Sequence, residues 1–145
     1  MILILPIYFQ QTNVPQKEWT EFEMTAYTAF CNTGCIGITR TGYDVSNTIY
    51  YDGMRVIAVD PEVIPLYSVV EIHTGTEIFK AIALDTGGLI RGNIIDLLVE
   101  TKSEAYQWGR RQVKVRIVEE RNIKEFEKCI SGNANNVIGK VTIQK

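Results

Sequence analysis

The sequence contains little of what several common kinds of functional site require. Among its 145 residues are one histidine, three cysteines and four prolines. Lys and Arg together number 15 against 17 Asp and Glu, which gives a formal net charge of −2, and no dense basic stripe is present. Because nucleic-acid binding depends on clustered positive charge that releases counterions, we do not expect nucleic acid to be a partner.

Long hydrophobic runs are also missing. The apolar stretch at residues 1–9 lacks a basic leader, is interrupted by Pro6 and is far too short to cross a bilayer. We expect it to form a first strand or a packing arm rather than part of a signal segment. Stable membrane insertion is therefore not expected, and the sequence indicates no route of export.

The few cysteines limit the metal chemistry that is available. Cys31 and Cys35 are close enough for a loop disulfide or for half of a metal site. No second pair of ligands completes a zinc tetrahedron, and His73 lies in a stretch of alternating apolar residues. We expect no metal and no cofactor. Free thiols or one short disulfide are both open for Cys31, Cys35 and Cys129.

What the chain does contain is a series of short strand signals. Hydrophobic residues make up 46% of the sequence, and the length of 145 residues is suited to one domain. Apolar or alternating segments bounded by turn residues predict strands at 21–29, 55–59, 69–72, 78–84, 94–99 and 113–118. Six short strands with tight turns predict a mainly β fold, closed into a barrel.

Two short helices are predicted beside these strands. Residues 101–104 match a capping box, and Gly109 supplies a stop signal. A similar pattern over 122–130 precedes a final predicted strand at 137–143. The expected domain organisation is an N-terminal arm at 1–20, a barrel domain at 21–120 and a helix-strand tail at 121–145.

Three aspartates occupy positions that are costly for a carboxylate. Asp60 and Asp85 each end an apolar run, and turn chemistry explains both of them as well as function does. Asp96 lies inside the apolar segment 94–98, where a carboxyl must be paired, hydrogen-bonded or protonated, so a functional role is favoured. If two carboxylates converge, repulsion raises one pKa, and that group becomes a general acid suited to a glycosidic bond.

Several neighbouring residues are candidates for sugar binding. Gly87 and Gly88 lack side chains and would let a sugar approach the backbone closely. Thr86 and Asn93 offer hydrogen bonds to hydroxyl or acetamido groups. Tyr27 is a candidate for stacking on a sugar, although an aromatic residue in a strand belongs to the core at least as often.

The aspartates stand in motifs that resemble a known family. Residues 58–66 (AVDPEVIPL), 83–88 (ALDTGG), 92–99 (GNIIDLLV) and 105–111 (AYQWGRR) together resemble the 3D domain, named for its three aspartates. The segments TAYTAF (25–30) and TGYDV (41–45) fit the opening of that family. The family is similar to the catalytic barrel of the MltA-type lytic transglycosylases and includes cell-wall-remodelling proteins of spore-forming bacteria.

The resemblance implies a six-stranded double-psi β-barrel that cleaves the MurNAc–GlcNAc β-1,4 bond of peptidoglycan and forms 1,6-anhydroMurNAc. It implies that Asp96 is the catalytic acid, that Asp85 raises its pKa and orients it, and that Asp60 braces the psi-loop. The implied place of action is the bacterial cell wall, outside the cytoplasm. Family members often carry glycine where this chain has Tyr67, which implies an altered loop there.

Two other functions are open. One is a non-catalytic module that binds or loosens cell-wall glycan. The other is a Ca²⁺ or Mg²⁺ site built from the aspartates, which is disfavoured because Asp96 within a strand and Asp60 after another form no loop cage. The tail at 121–145 is expected to close the flank of the barrel, to dimerise, or to attach the protein to a larger assembly such as a phage lysis system.

Overall fold

A computed structural model describes residues 17–32 and 34–120. Within these ranges the chain forms seven strands and one helix. In chain order these are β1 (Thr20–Thr28), β2 (Tyr50–Tyr51), β3 (Met54–Ala58), β4 (Val69–His73), β5 (Ile78–Asp85), β6 (Ile94–Val99), α1 (Lys102–Trp108) and β7 (Arg111–Glu119).

Six of the strands close into a barrel. Their order is β3-β5-β4-β7-β1-β6, and β6 returns to β3 through the pairs Ile57–Leu97 and Ala58–Asp96. The pairs β1–β6 and β3–β5 are parallel, whereas the other barrel pairs are antiparallel. β2 adds a short hairpin to β3. The predicted mainly β, six-stranded barrel is confirmed.

The barrel interior is filled by alternate residues of each strand, because successive side chains of a strand point to opposite faces. In β7, Val113 and Val115 are buried and Lys114 is exposed, as the alternation predicts. The buried interior cluster comprises Phe22, Met24, Ile57, Val59, Ile64, Val70, Ile72, Ala81, Ala83, Ile95, Leu97, Val99, Val113 and Val115.

A second apolar cluster lies on the outer face of β3, β5 and β6. The segment 29–49 supplies Val45 and Ile49 to this cluster, where they join Val56, Ile82, Leu84 and Leu98. The same segment is fixed to the end of β5, because the amide and the hydroxyl of Thr41 both donate to the carbonyl of Leu84. One outer flank of the barrel is therefore covered by a long, anchored loop.

The predicted element boundaries agree closely with the observed ones. The strand predicted at 94–99 has those bounds in the structure, and α1 begins after the N-cap Thr101 and ends at Trp108, before the C-cap Gly109. The hydroxyl of Thr101 accepts from the amide of Glu104 at 3.1 Å, while the carboxylate of Glu104 accepts from the amide of Glu100. The predicted second helix, the final strand and most of the N-terminal arm lie outside the described residues.

Two local features resolve questions that the sequence left open. Cys31 and Cys35 form a disulfide, one of the two alternatives for this pair. Tyr67 has a φ of 69°, in the left-handed region where glycine is favoured. A glycine would adopt this conformation without the strain that a Cβ causes.

The described residues contain no helix of the length and apolarity needed to span a membrane.

Candidate active site

Asp96 lies on the outer face of the barrel, in the middle of β6. Its neighbours Ile95 and Leu97 are both fully buried in the interior cluster, whereas Asp96 is half-buried. The register places Asp96 opposite Thr25 of β1, and the Thr25 hydroxyl donates to Asp96 Oδ1 at 2.8 Å. The carboxyl is thus held by the parallel neighbour strand, and the residue remains partly exposed to solvent.

Asp85 ends β5, and three donors surround its carboxylate. The Tyr27 hydroxyl donates to Oδ2 at 2.9 Å. The amides of Arg40 and Thr86 donate to Oδ1 at 2.8 and 2.9 Å. One of these donors belongs to β1, one to the covering loop and one to the residue after the strand, so the position of Asp85 is fixed by three parts of the chain.

A register shift explains how the side chain of Asp85 reaches the outer face of the barrel, on which Asp96 lies. In the β3–β5 pairing, Ile57 lies opposite Ala83, but the next residue, Ala58, lies opposite Asp85. Strict alternation would place Asp85 on the interior face with Ala83, and an extra residue in one strand re-aims the side chain that follows it. Ala58 also pairs with Asp96. The two aspartates therefore lie on either side of the end of β3, and only the small residue Ala58 stands between them.

The electrostatics of the site raise the pKa of Asp96 above that of an ordinary aspartate. Burial raises the pKa of Asp96, and the negative charge of Asp85 raises it further. The hydrogen bond from Thr25 and the positive charge of Arg110 oppose this rise. The pKa of the Tyr27 phenol is also raised, first by burial and then by Asp85. The phenol therefore stays protonated and donates its hydrogen bond to Asp85.

Asp60 occupies a different environment from the other two aspartates. It is only 7% exposed, and its carboxylate accepts from the amides of Glu62 at 3.0 Å and of Gly92 at 2.8 Å. These bonds lower the pKa of Asp60, the Gly92 bond most strongly. Its described hydrogen bonds all run to main-chain amides and none to Asp85 or Asp96. Asp60 therefore ties the turn after β3 to the turn before β6, where Gly92 has a φ of 67°.

The predicted sugar-binding residues fall into two places. Thr86, Gly87 and Gly88 line an open groove of about 420 Å³ directly after Asp85, together with Arg40, Val59, Pro61, Leu66, Ile90 and Arg91. Asn93 lies elsewhere, because its side-chain amide donates to the carbonyl of Glu21 and faces a separate hollow beside Phe22. The structure brings the first three residues to Asp85 and places Asn93 away from them.

The two glycines of the groove differ in their constraints. A Cβ at Gly87 would lie 2.9 Å from the side chain of Ile90, whereas a Cβ at Gly88 would meet nothing within 4 Å. Packing therefore explains Gly87. The open space at Gly88 is consistent with the close approach of a ligand to the backbone.

No cluster of three or more His, Cys, Asp or Glu side chains suited to a metal ion occurs within residues 17–32 and 34–120. Inspection of the sequence alone missed two parts of the site, Thr25 and the main chain of Arg40. Thr25 and Tyr27 are two residues apart on one strand, and this spacing, which puts both side chains on the same face, is a signal that could have identified Thr25. No local signal marks the Arg40 amide, since its contact is made 45 residues away.

The sequence profile described as the 3D domain matches residues 55–119, which include all three aspartates. The predicted resemblance to the 3D domain is thus confirmed over residues 55–119. Strand β1, which supplies Thr25 and Tyr27 to the site, precedes the matched residues.

Curated relatives of this chain come from Bacillus subtilis strain 168. The SPbeta prophage-derived uncharacterized protein YorM is 56% identical over 106 residues, which cover 73% of this chain and 44% of YorM. The cell wall-binding protein YocH is 47% identical over 95 residues, which cover 65% of this chain and 30% of YocH. The chain thus spans less than half the length of these relatives.

Among solved structures, MltA from E. coli is 21% identical with a TM-score of 0.39, over 46% of this chain and 24% of MltA. A second structure, the apo-2 form of the MltA variant D308A, has a TM-score of 0.40 at 20% identity, with the same coverage. A likeness of this degree carries no residue roles over to this chain.

Proposed function

We propose that this chain acts on the bacterial cell wall as a lytic transglycosylase that cleaves the β-1,4 bond between MurNAc and GlcNAc in peptidoglycan. The 3D domain and a relative named as a cell wall-binding protein support a role at the wall. The observation that carries the catalytic proposal is the half-buried Asp96, whose pKa is raised by burial and by the charge of Asp85.

The proposed reaction begins with proton transfer from Asp96. Its carboxyl donates a proton to the glycosidic oxygen, the bond from that oxygen to MurNAc C1 breaks, and GlcNAc leaves with a hydroxyl at C4. The C6 hydroxyl oxygen of the same MurNAc then bonds to C1 and closes the 1,6-anhydro ring. The proton of that hydroxyl returns to the Asp96 carboxylate, so no water is consumed and the enzyme regains its starting state.

In this mechanism Asp85 is a positioning residue. Because the attacking hydroxyl belongs to the substrate, no second carboxylate is needed to activate water, and the carboxylate spacing of ordinary glycosidases does not apply. The negative charge of Asp85 keeps Asp96 protonated to a higher pH. Thr25 holds the Asp96 carboxyl in place, and Tyr27 does the same for Asp85.

The proposal is tested by digesting purified peptidoglycan in water labelled with heavy oxygen and analysing the products by mass spectrometry. We expect anhydro-ended muropeptides that carry no heavy oxygen. Asp96→Asn should release them at least about 10²-fold more slowly, whereas Asp52→Asn, a change at an exposed aspartate outside the site, should match the wild type. Reducing-end products that contain heavy oxygen would contradict the mechanism.

A second candidate function is a non-catalytic module that binds cell-wall glycan. The name of the relative YocH, a cell wall-binding protein, favours it. This candidate predicts that the wild type releases no soluble product but sediments with insoluble peptidoglycan, and that Asp96→Asn sediments equally well.

A further inference from the structure

Two arginines, Arg40 and Arg91, line the groove that adjoins Asp85. Both side chains are exposed, and neither forms an ion pair in the part of the chain that the structure describes. Arg40 is fixed at the groove by its backbone, since its amide donates to Asp85 Oδ1 at 2.8 Å. Its guanidinium remains available to a ligand.

The other described arginines have partners within the protein. Their interactions are an ion pair of Arg110 with Glu23, an ion pair of Arg116 with Glu71, hydrogen bonds of Arg111 to the carbonyls of Trp108 and Gln107, and a hydrogen bond of Arg55 to the carbonyl of Leu98. The two groove arginines differ from these four in having no such side-chain partner among the described residues.

The groove lining also lacks a negative charge. Its residues are the two arginines, Thr86, two glycines and the apolar Val59, Pro61, Leu66 and Ile90. The nearby carboxylate of Asp60 accepts from two main-chain amides and attracts Arg91 only through space, and the carboxylate of Asp85 accepts from three donors. Two exposed cationic residues therefore line a groove whose own lining carries no carboxylate, and the nearby Asp60 forms no ion pair with either of them.

We propose that Arg40 and Arg91 bind a carboxylate of the substrate, so that the groove selects acidic glycans over neutral ones. This inference rests on the proposed action on peptidoglycan. The planar guanidinium matches a carboxylate through paired hydrogen bonds, which makes arginine suited to this task. Because Thr86 links Asp85 to the groove, the carboxylate would be bound next to the sugar whose bond is cleaved.

In peptidoglycan this carboxylate has two sources. The lactyl group of muramic acid carries one when the peptide has been removed, and the attached peptide carries others when it is present. Chitin oligosaccharides consist only of N-acetylglucosamine and carry none. The three ligands are therefore a peptide-free peptidoglycan strand, a peptide-bearing strand and a chitin oligosaccharide. All three share the β-1,4 linkage, so differences in their binding report on the acidic group.

The test measures the affinity of the three glycans, matched in length, by isothermal titration calorimetry. All variants are made in an Asp96→Asn background so that no turnover occurs. Arg40→Gln and Arg91→Gln remove one cation each. Lys80→Gln, a change at an exposed lysine of β5 that does not line the groove, is the matched control.

We expect each arginine variant to weaken binding of an acidic glycan by about three- to tenfold and to reduce its salt dependence. Affinity for the chitin oligosaccharide should not change, and Lys80→Gln should behave like its parent. Loss with the peptide-free glycan assigns the lactyl carboxylate, and loss only with the peptide-bearing glycan assigns the peptide.

Equal affinities across all variants, equal losses for neutral and acidic glycans, or no binding of either acidic glycan would overturn the inference. Its failure is separable from failure of the catalytic proposal. Anhydro products with arginine-independent binding would refute the carboxylate site alone. Arginine-dependent binding without any anhydro product from the wild type would support the site and refute catalysis.

Discussion

The phenol of Tyr27 donates a hydrogen bond to Oδ2 of Asp85 over 2.9 Å and so links the barrel strand β1 to the end of β5. Its raised pKa keeps this hydroxyl protonated, so the bond has one direction. The ring packs against the outer apolar cluster, which leaves its hydroxyl, rather than its face, for the site. We therefore expect Tyr27 to act through Asp85 and not by stacking on a sugar.

Replacing Asp96 should slow the chemistry greatly without disrupting the fold. Asn is nearly isosteric, and its carbonyl can still accept from Thr25, but it cannot transfer a proton. We expect Asp96→Asn to lower kcat by about 10²- to 10⁴-fold, the usual contribution of a general acid. The measurement is the rate of anhydro-muropeptide release, with circular dichroism to verify the fold. A variant with full activity would remove Asp96 from the role of acid.

The same variant should have a pH-dependent effect on stability. Folding raises the pKa of Asp96, so the folded state binds more protons than the unfolded chain between the ordinary carboxyl pKa and the raised one, and stability falls as pH rises through that window. Asp96→Asn removes this cost. Its Tm should exceed that of the wild type at neutral pH and approach it in acid. A variant less stable than wild type only at neutral pH would contradict the raised pKa.

Asp85→Asn should shift the pH profile of activity. A general acid works only while protonated, so activity falls as pH rises past its pKa. Because the charge of Asp85 raises the pKa of Asp96, neutralising Asp85 should move the alkaline fall of kcat/KM to lower pH. Tyr27→Phe leaves that charge in place and should lower kcat with a smaller shift of the profile. Identical profiles for wild type and Asp85→Asn would show that the two carboxyls are not coupled.

Asp60→Asn should reduce stability in a manner that depends on pH. Asn offers one acceptor oxygen to two amides and turns its own N–H₂ toward one of them. The lowered pKa of Asp60 means that its stabilising effect is present above the ordinary carboxyl pKa and is lost as pH falls through the lowered value. The Tm deficit should be largest at neutral pH and shrink in acid, with Asp52→Asn as control. A deficit that grows in acid would contradict the brace role.

Tyr67 allows a test of backbone strain. The left-handed conformation costs a residue with a Cβ about 1–2 kcal/mol. Tyr67→Ala loses the ring from the outer cluster and keeps this strain, while Tyr67→Gly loses the ring and relieves it. We expect the Gly variant to be more stable than the Ala variant by about 1 kcal/mol in urea unfolding. The opposite order, which is normal within strands, would contradict this conformation.

The sequence was informative where structure depends on local pattern. Apolar or alternating segments bounded by turn residues located the barrel strands, and the capping residues located α1. The apolar neighbours of Asp96 in the sequence marked it as unusual. The contact of Thr25 with Asp96 could not be read in this way, because it depends on the pairing of strands 71 residues apart. The outward direction of Asp85 depends on a register shift against β3, and no local signal predicts such a shift.

Placement of the groove residues shows the same limit. Thr86 and Gly88 lie at the groove because they belong to the turn that follows Asp85. Asn93 can form hydrogen bonds as Thr86 can, but it lies at a different hollow. The Arg40 side chain lies at the groove because the covering loop is fixed to the end of β5. The roles assigned to the C-terminal tail, including dimerisation or attachment to a phage lysis assembly, concern residues outside the described chain and stay predictions.

The most direct test of the account is an NMR titration of the Asp96 side-chain carboxyl carbon in the wild type and in Asp85→Asn. We predict a pKa above the ordinary aspartate value in the wild type and a lower pKa in the variant. An Asp96 carboxyl that titrates at or below the ordinary value, with no response to the loss of Asp85, would contradict the proposal that this pair holds the catalytic proton.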